Sequence, residues 1–337
     1  MADSLAAWRS LLLARLAGER AHLLFQYRSL AEEVLTAVPV SGGLSAKDVL
    51  LHVAAWDAIN SERLSLVLHG RRADMRQIAS FDEVNADLYG RFAAIPLEQA
   101  LAACLKERSG FLALLKRLPD ALLHRRITLP WGQRIRPRTW ARWRWQHDAH
   151  HAQDMLEWRQ AQPPDQVRQI GPKVILRAQL QATRREILSL VDVIPPAERT
   201  QRPVCGIWTM KDLIGHLTDW ELVGVNGMQQ LAAGQTPEFD RPIHDFDAFN
   251  AANAAARQDQ PWEEVWEAFT AVRQNLLALF DQLPEVDLQR PVPAPWGRTI
   301  PAYVWMQVWM AHDHEHAVDV RHALSLPGWP RYLTQHH

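Results

Sequence analysis

Apolar residues recur at three- and four-residue intervals through most of this chain, and they do so twice. Val49, Leu50, Val53 and Trp56 form one such stripe, and Leu213, Ile214, Leu217 and Trp220 repeat it 164 residues later. That spacing places side chains on one face of a helix, so it predicts amphipathic helices with a buried stripe. In the first half the pattern predicts four long helices at roughly 5–37, 45–69, 96–118 and 138–161. Ser45 stands where it can cap the second helix, with Asp48 three residues on, and Thr209 with Asp212 repeats the arrangement. Pro39, Pro96, Pro119 and Pro130 fall between the helices, where a missing N–H costs little. No stretch alternates with strand period for long. The expected fold is all-α, two antiparallel four-helix bundles in tandem.

The repeat extends well beyond the stripes. LSAKDVLLHVAAWD (44–57) lies over WTMKDLIGHLTDWE (208–221) at an offset of 164. FDEVN (81–85) over FDAFN (246–250), residues 98–120 over 263–285, and PWGQRI (130–135) over PWGRTI (295–300) all follow at 165. A single one-residue slip over that distance marks a tandem duplication. The expected division is a first bundle at 1–161, a polar link QPPDQVRQ at 162–169, a second bundle at 170–326 and a tail at 327–337.

Composition narrows the picture. A formal net charge of −1 gives no overall reason to expect nucleic acid or an anionic membrane as partner. The charge is uneven, however: residues 1–164 carry 22 Lys/Arg against 17 Asp/Glu, and residues 165–337 carry 15 against 21. Cys104 and Cys205 lie far apart without a disulfide or thiolate-metal pattern, which fits a reducing compartment. Arg9, Arg15 and Arg20 interrupt any signal-type apolar core, and no run approaches the ~20 apolar residues that span a bilayer. A soluble, cytoplasmic protein is expected. RIRPRTWARWRWQH (134–147) interleaves arginine with tryptophan, but the second copy has no basic residue there. It reads as a surface, or as contact with the acidic half, rather than as a nucleic-acid site.

Histidines carry the candidate chemistry. HDAHHAQD (147–154) meets HDHEHAVD (312–319) at offset 165, so His147 matches His312 and His151 matches His316. The extra residues His150 and His314 have no matching histidine. Positions i and i+4 stand one turn apart on the same helical face, which lets two imidazoles hold one metal ion. His52 matches His216 on the second helix of each copy. Three imidazoles converging in a bundle leave coordination positions open, as a catalytic site requires. Asp154 and Asp319, seven residues beyond the first histidine, return to the same face. They can orient a ligand imidazole or form a salt bridge. Asn85 and Asn250 read as caps or loop anchors, and Trp56 and Trp220 as core residues or pocket walls.

The motif K-D-[VL]-[LI]-x-H with Trp four residues on, followed by P-W-G and a helix bearing H-D-x-x-H-x-x-D, resembles the DinB-like superfamily in both copies. The resemblance implies four-helix bundles with a divalent metal on His52, His147 and His151, and on His216, His312 and His316. It further implies a hydrolase or a thiol-dependent S-transferase acting on a small molecule, with bacillithiol or mycothiol as the thiol in some members. Zinc or nickel is the expected ion, with manganese or iron as alternatives, acting as a Lewis acid that acidifies a water or a thiol. A non-catalytic metal- or ligand-binding stress-response protein is the alternative.

Duplication places two bundles at high effective concentration, and an eight-residue link reaches only roughly 26–29 Å when extended. An internal pseudo-dimer is therefore expected, with the chain a monomer or a weak homo-oligomer. Sedimentation combined with small-angle scattering checks this; a stable dimer of chains with splayed halves would refute it.

Overall fold

The computed structural model describes residues 2–239 and 243–324. The expected tail at 327–337 lies outside the described residues. The chain divides into two compact units, residues 1–175 and 176–337.

In the first unit, α1 (Ala2–Phe25) and the short α2 (Glu32–Ala37) lead into a hairpin of β1 (Pro39–Ser41) and β2 (Leu44–Ser45). Then come α3 (Ala46–Leu68), α4 (Phe81–Phe92), α5 (Leu97–Arg117), α6 (Asp120–His124), a second hairpin of β3 (Ile127–Thr128) and β4 (Arg134–Ile135), and α7 (Pro137–Gln160). The second unit repeats this with α8 (Lys173–Val191), β5 (Pro203–Cys205), β6 (Trp208–Thr209), α9 (Met210–Ala232) and α10 (Phe246–Ala256). It continues with α11 (Trp262–Gln282), α12 (Glu285–Gln289), β7 (Pro291–Pro293), β8 (Thr299–Pro301) and α13 (Ala302–Ala323). The architecture is all-α apart from four two-stranded hairpins among the described residues.

Four long helices make each bundle. In the first unit α3 packs along α5 and against α7, and α1 packs along α7. Leu16, Leu64, Phe111 and Trp140, one from each long helix, meet in its core. Ser45 caps α3 through a reciprocal box: its Oγ accepts from Asp48 N at 3.2 Å, and its own N–H donates to the Asp48 carboxylate at 3.2 Å. Thr209 and Asp212 do the same for α9.

Two expectations need correcting. The helix expected at 5–37 stops at Phe25, because Ser29 sits at φ +55, in the left-handed region through which a helix of L-residues cannot run. Apolar periodicity continues past the break, which is why the pattern hides it. Asn85 and Asn250, read as caps or loop anchors, lie within α4 and α10, where they accept hydrogen bonds from the indoles of Trp56 (3.1 Å) and Trp220 (2.9 Å). The segment 162–169 does not dangle: Gln169 N donates to Ser29 O and Arg159 donates to Val167 O.

The deepest polar feature is a ring of four charges. Arg20 of α1 donates to Asp148 of α7 (2.9 and 3.0 Å) and to Asp57 of α3 (3.0 Å). Arg108 of α5 donates to Asp57 (2.9 and 3.1 Å) and lies 2.8 Å from Asp148. All four are buried. The second unit repeats the ring with Arg184, Glu221, Arg273 and Asp313. Burial pushes the Asp148 carboxyl up, but Arg108 and Arg20 more than offset it and hold the group below the ordinary carboxylate range. Removing one member leaves a buried guanidinium uncompensated, at a cost of about 3–5 kcal/mol. Asp148→Asn should therefore lower the stability of the first unit by that amount in urea denaturation, and Asp313→Asn that of the second. A loss below about 1 kcal/mol would show that the ring does not hold the bundle.

Candidate metal centres

Because Asp148 faces the ring, its neighbour His147 and the residue one turn on, His151, project from α7 toward α3. There they meet His52. The Nε2 atoms of His52 and His147 are 2.8 Å apart, and those of His147 and His151 3.2 Å. In the second unit His216 and His312 are 2.9 Å apart, and His312 and His316 3.1 Å. The structure thus brings each set of three matched histidines to one point. His150 instead points outward, with its side chain 68% exposed. His314 is buried against Glu186 on α8, at 3.4 Å.

Burial, with His151 and Arg144, pushes His52 down to about 3, and burial with Arg144 and His151 pushes His147 far below its ordinary value. Burial and His150 push His151 down to about 4, while burial and His316 push His216 down to about 3. His312 also falls well below its ordinary value through burial and its two partners. At neutral pH these rings are uncharged, the state in which imidazole offers a lone pair to a metal.

The hairpins fix where those lone pairs point. Gly42 (φ +55) and Gly43 (φ +85) form the two-residue turn that needs positive φ at both positions, and it carries Ser41 over α7. Ser41 Oγ lies 3.0 Å from His151 Nδ1 and donates to Asp154 at 2.5 Å. Since that hydroxyl hydrogen goes to the carboxylate, Ser41 accepts from His151 Nδ1–H, and the lone pair of His151 is left at Nε2. Asp154 itself is 3.9 Å from the ring and acts through the serine. In the second unit Asp319 takes the His316 Nδ1 proton directly at 3.1 Å. Cys205 replaces the serine, donating to Asp319 at 3.3 Å and lying 3.8 Å from His316 Nδ1. Burial and Asp319 push the Cys205 thiol up to about 12. Cys205, His316 and Asp319 form a further group with metal-ligand spacing.

His147 is the exception. Arg144 Nη1, which can only donate, lies 3.2 Å from its Nδ1. For His147 to present a lone pair at Nε2, the proton must move to Nδ1 and Arg144 must give up that contact. Trp309 occupies the equivalent position in the second unit, so His312 carries no such restriction. Two nitrogens about 2.0–2.1 Å from a tetrahedral ion stand about 3.3–3.4 Å apart, close to the separations found. The donor sets fit a divalent ion in each unit.

Sequence reasoning missed Ser41 and Cys205, because the two copies differ there. It missed Tyr89, whose hydroxyl approaches His52 Nδ1 at 3.5 Å from the unanticipated α4. The ring residues recur at the same offsets as the histidines, and that was the available signal for them.

A family model described as the DinB superfamily matches residues 5–155 and 179–318. The chain belongs to that superfamily, in two consecutive copies. No curated protein and no solved structure gave a significant match. Among the described residues no helix is long and apolar enough to cross a membrane.

The depressed histidines set a pH dependence for metal-free protein. Unfolded histidines take up protons near pH 6.5, whereas folded His52 does so near 3. Between those values the unfolded chain binds more protons, so stability is fully present above about 6.5 and falls as pH drops. Each such group contributes at most about 1.4 kcal/mol per pH unit. Chelator-treated His52→Gln should lose less thermal stability between pH 7 and 4.5 than the parent; equal slopes would mean that folded His52 takes up its proton as the unfolded chain does, without depression.

Proposed function

We propose, taking membership of the DinB superfamily as the premise, that this chain is a metal-dependent enzyme acting on a small molecule. Its divalent ions sit on His52, His147 and His151 in one copy and on His216, His312 and His316 in the other. The observation that carries this is the convergence of three Nε2 atoms in both copies, with one Nδ1 proton in each tied to an acceptor. Acceptors placed on the nitrogen away from the ion hold a ligand imidazole in the tautomer that binds metal. Bound there, zinc or nickel, or else manganese or iron, supplies a Lewis acid that lowers the pKa of a water or a thiol.

The side chains divide the remaining work. Ser41 and Asp154 fix the orientation of His151, and Asp319 that of His316. The charge ring keeps α7 and α13 from rotating about their axes. Burial keeps the rings of His52, His147, His151, His216 and His312 neutral at physiological pH. Hydrolysis, and S-transfer from a low-molecular-weight thiol such as bacillithiol or mycothiol, are the two reactions such a centre serves.

Untagged protein reconstituted with each ion should bind about two per chain. His151→Ala and His316→Ala should each remove one ion, while His150→Ala and His314→Ala leave the content nearly unchanged. Metal-dependent conversion of a thiol-reactive electrophile, or hydrolysis of an activated ester or amide, is the expected activity. Full metal loading without turnover in either assay would make the chain a binding module instead, and absence of metal would overturn the ligand assignment.

A further inference from the structure

Beside the first triad lies a cavity of about 590 Å³, within the range of about 300–1,000 Å³ common for small-molecule sites. His52 and His147 form part of its wall, so it opens onto the proposed centre. Much of the rest is aromatic, including Trp56, Trp131, Trp140 and Trp143. Two cations, Arg63 and Arg144, also face it.

Arg144 is the informative residue. It is only 7% exposed, yet no carboxylate lies within salt-bridge distance of it among the described residues, since Asp57 and Asp148 are taken by Arg20 and Arg108. Its Nε is buried without a hydrogen-bond partner. Its one hydrogen bond goes to His147 Nδ1, an acceptor that disappears once that nitrogen carries the proton. Arg63 forms no ion pair among the described residues either. Asp57 and Asp148 act on Arg144 only from beyond contact, and a buried guanidinium with no carboxylate against it is costly unless an anion completes it.

The second copy has closed the same space. Asn60 and Arg63 are matched by Gly224 and Gly227, and Arg144 by Trp309. A Cβ at Gly224 would run into the Trp309 indole, and one at Gly227 into Trp305. Both indoles are buried, and Trp309 Nε1 donates to Trp220 O at 3.1 Å. Trp305 matches Trp140 of the first copy, so the exchange that fills the space is Trp309 for Arg144.

We propose that the first copy alone binds a small aromatic monoanion, an aryl carboxylate in chemical class, whose flat body lies among the tryptophans while its carboxylate pairs with Arg144. Planar bidentate recognition of a carboxylate is what a guanidinium does best. Calling that ligand the substrate rests on the reading of the triad as a catalytic metal centre; the binding does not. The RIRPRTWARWRWQH stretch thereby has a use within the fold, since Trp140, Trp143 and Arg144 all come from it.

The test is calorimetry on the full, untagged chain with 2-naphthoate and its uncharged counterpart 2-naphthalenemethanol, in chelator-treated and in zinc-reconstituted protein. Chelator-treated protein should take up one naphthoate per chain and bind the alcohol at least about tenfold more weakly. Arg144→Met should weaken naphthoate at least about tenfold, leaving the alcohol and the zinc content close to the parent values and the thermal midpoint no lower than the parent's. Arg144→Lys should recover part of the affinity. No naphthoate binding by the parent, equal affinity for acid and alcohol, or two naphthoates per chain after chelation would each overturn the inference. Zinc content measured on the same samples separates that failure from failure of the metal reading.

Discussion

Everything at the two centres depends on a closed ring of buried charge. Arg20, Asp57, Arg108 and Asp148 come from the four long helices of the first bundle, one each, so no helix can rotate or slide without breaking a charge-assisted hydrogen bond. Buried ion pairs are weak sources of net stability, because desolvation consumes much of their attraction. What this ring does supply is register. Asp148 inside the ring turns His147 and His151 toward His52, and Asp313 does the same for His312 and His316. Apolar packing alone would tolerate a helix rotated by a few tens of degrees. Two contacts of 2.8 and 3.2 Å meeting at His147 Nε2 would not.

The two copies keep that scaffold and vary what stands around it. Ser41 accepts from His151 and donates to Asp154, whereas Asp319 accepts from His316 directly and Cys205 stands alongside. Tyr89 approaches His52 in one copy, and the Trp208 ring lies 4.6 Å from that of His216 in the other. The histidines meet at nearly the same separations in both, so these differences tune access and electrostatics around a constant donor set.

How much of this was legible in the sequence follows from the physical range of each signal. Helical period is local, so α3, α5 and α7 could be read from their stripes and the α3 cap from Ser45 and Asp48. An i, i+4 histidine pair is also local, and its recurrence at a fixed offset singled it out from the other histidines. The break at Ser29 was not legible, since one residue at positive φ leaves the apolar pattern intact. Nor were the strands of two or three residues, too short to show alternation. The charge ring joins residues up to 128 positions apart. Single arginines within apolar stripes look like surface residues until their partners are known. Ser41 escaped because its counterpart is a cysteine, so comparing the copies for identity passed over a position whose role they share.

The glycine under Trp309 constrains how one pocket could ever have become the other. The Trp309 indole cannot enter beside Asn60 until that side chain has been trimmed, and a side chain cannot return at Gly224 until the indole has shrunk. In either direction the shrinking replacement has to come first, through an intermediate that carries a void and bears its destabilisation. The two copies are thus separated by a mutational valley whose order of crossing is set by steric exclusion, and single exchanges between them that add bulk first should fail.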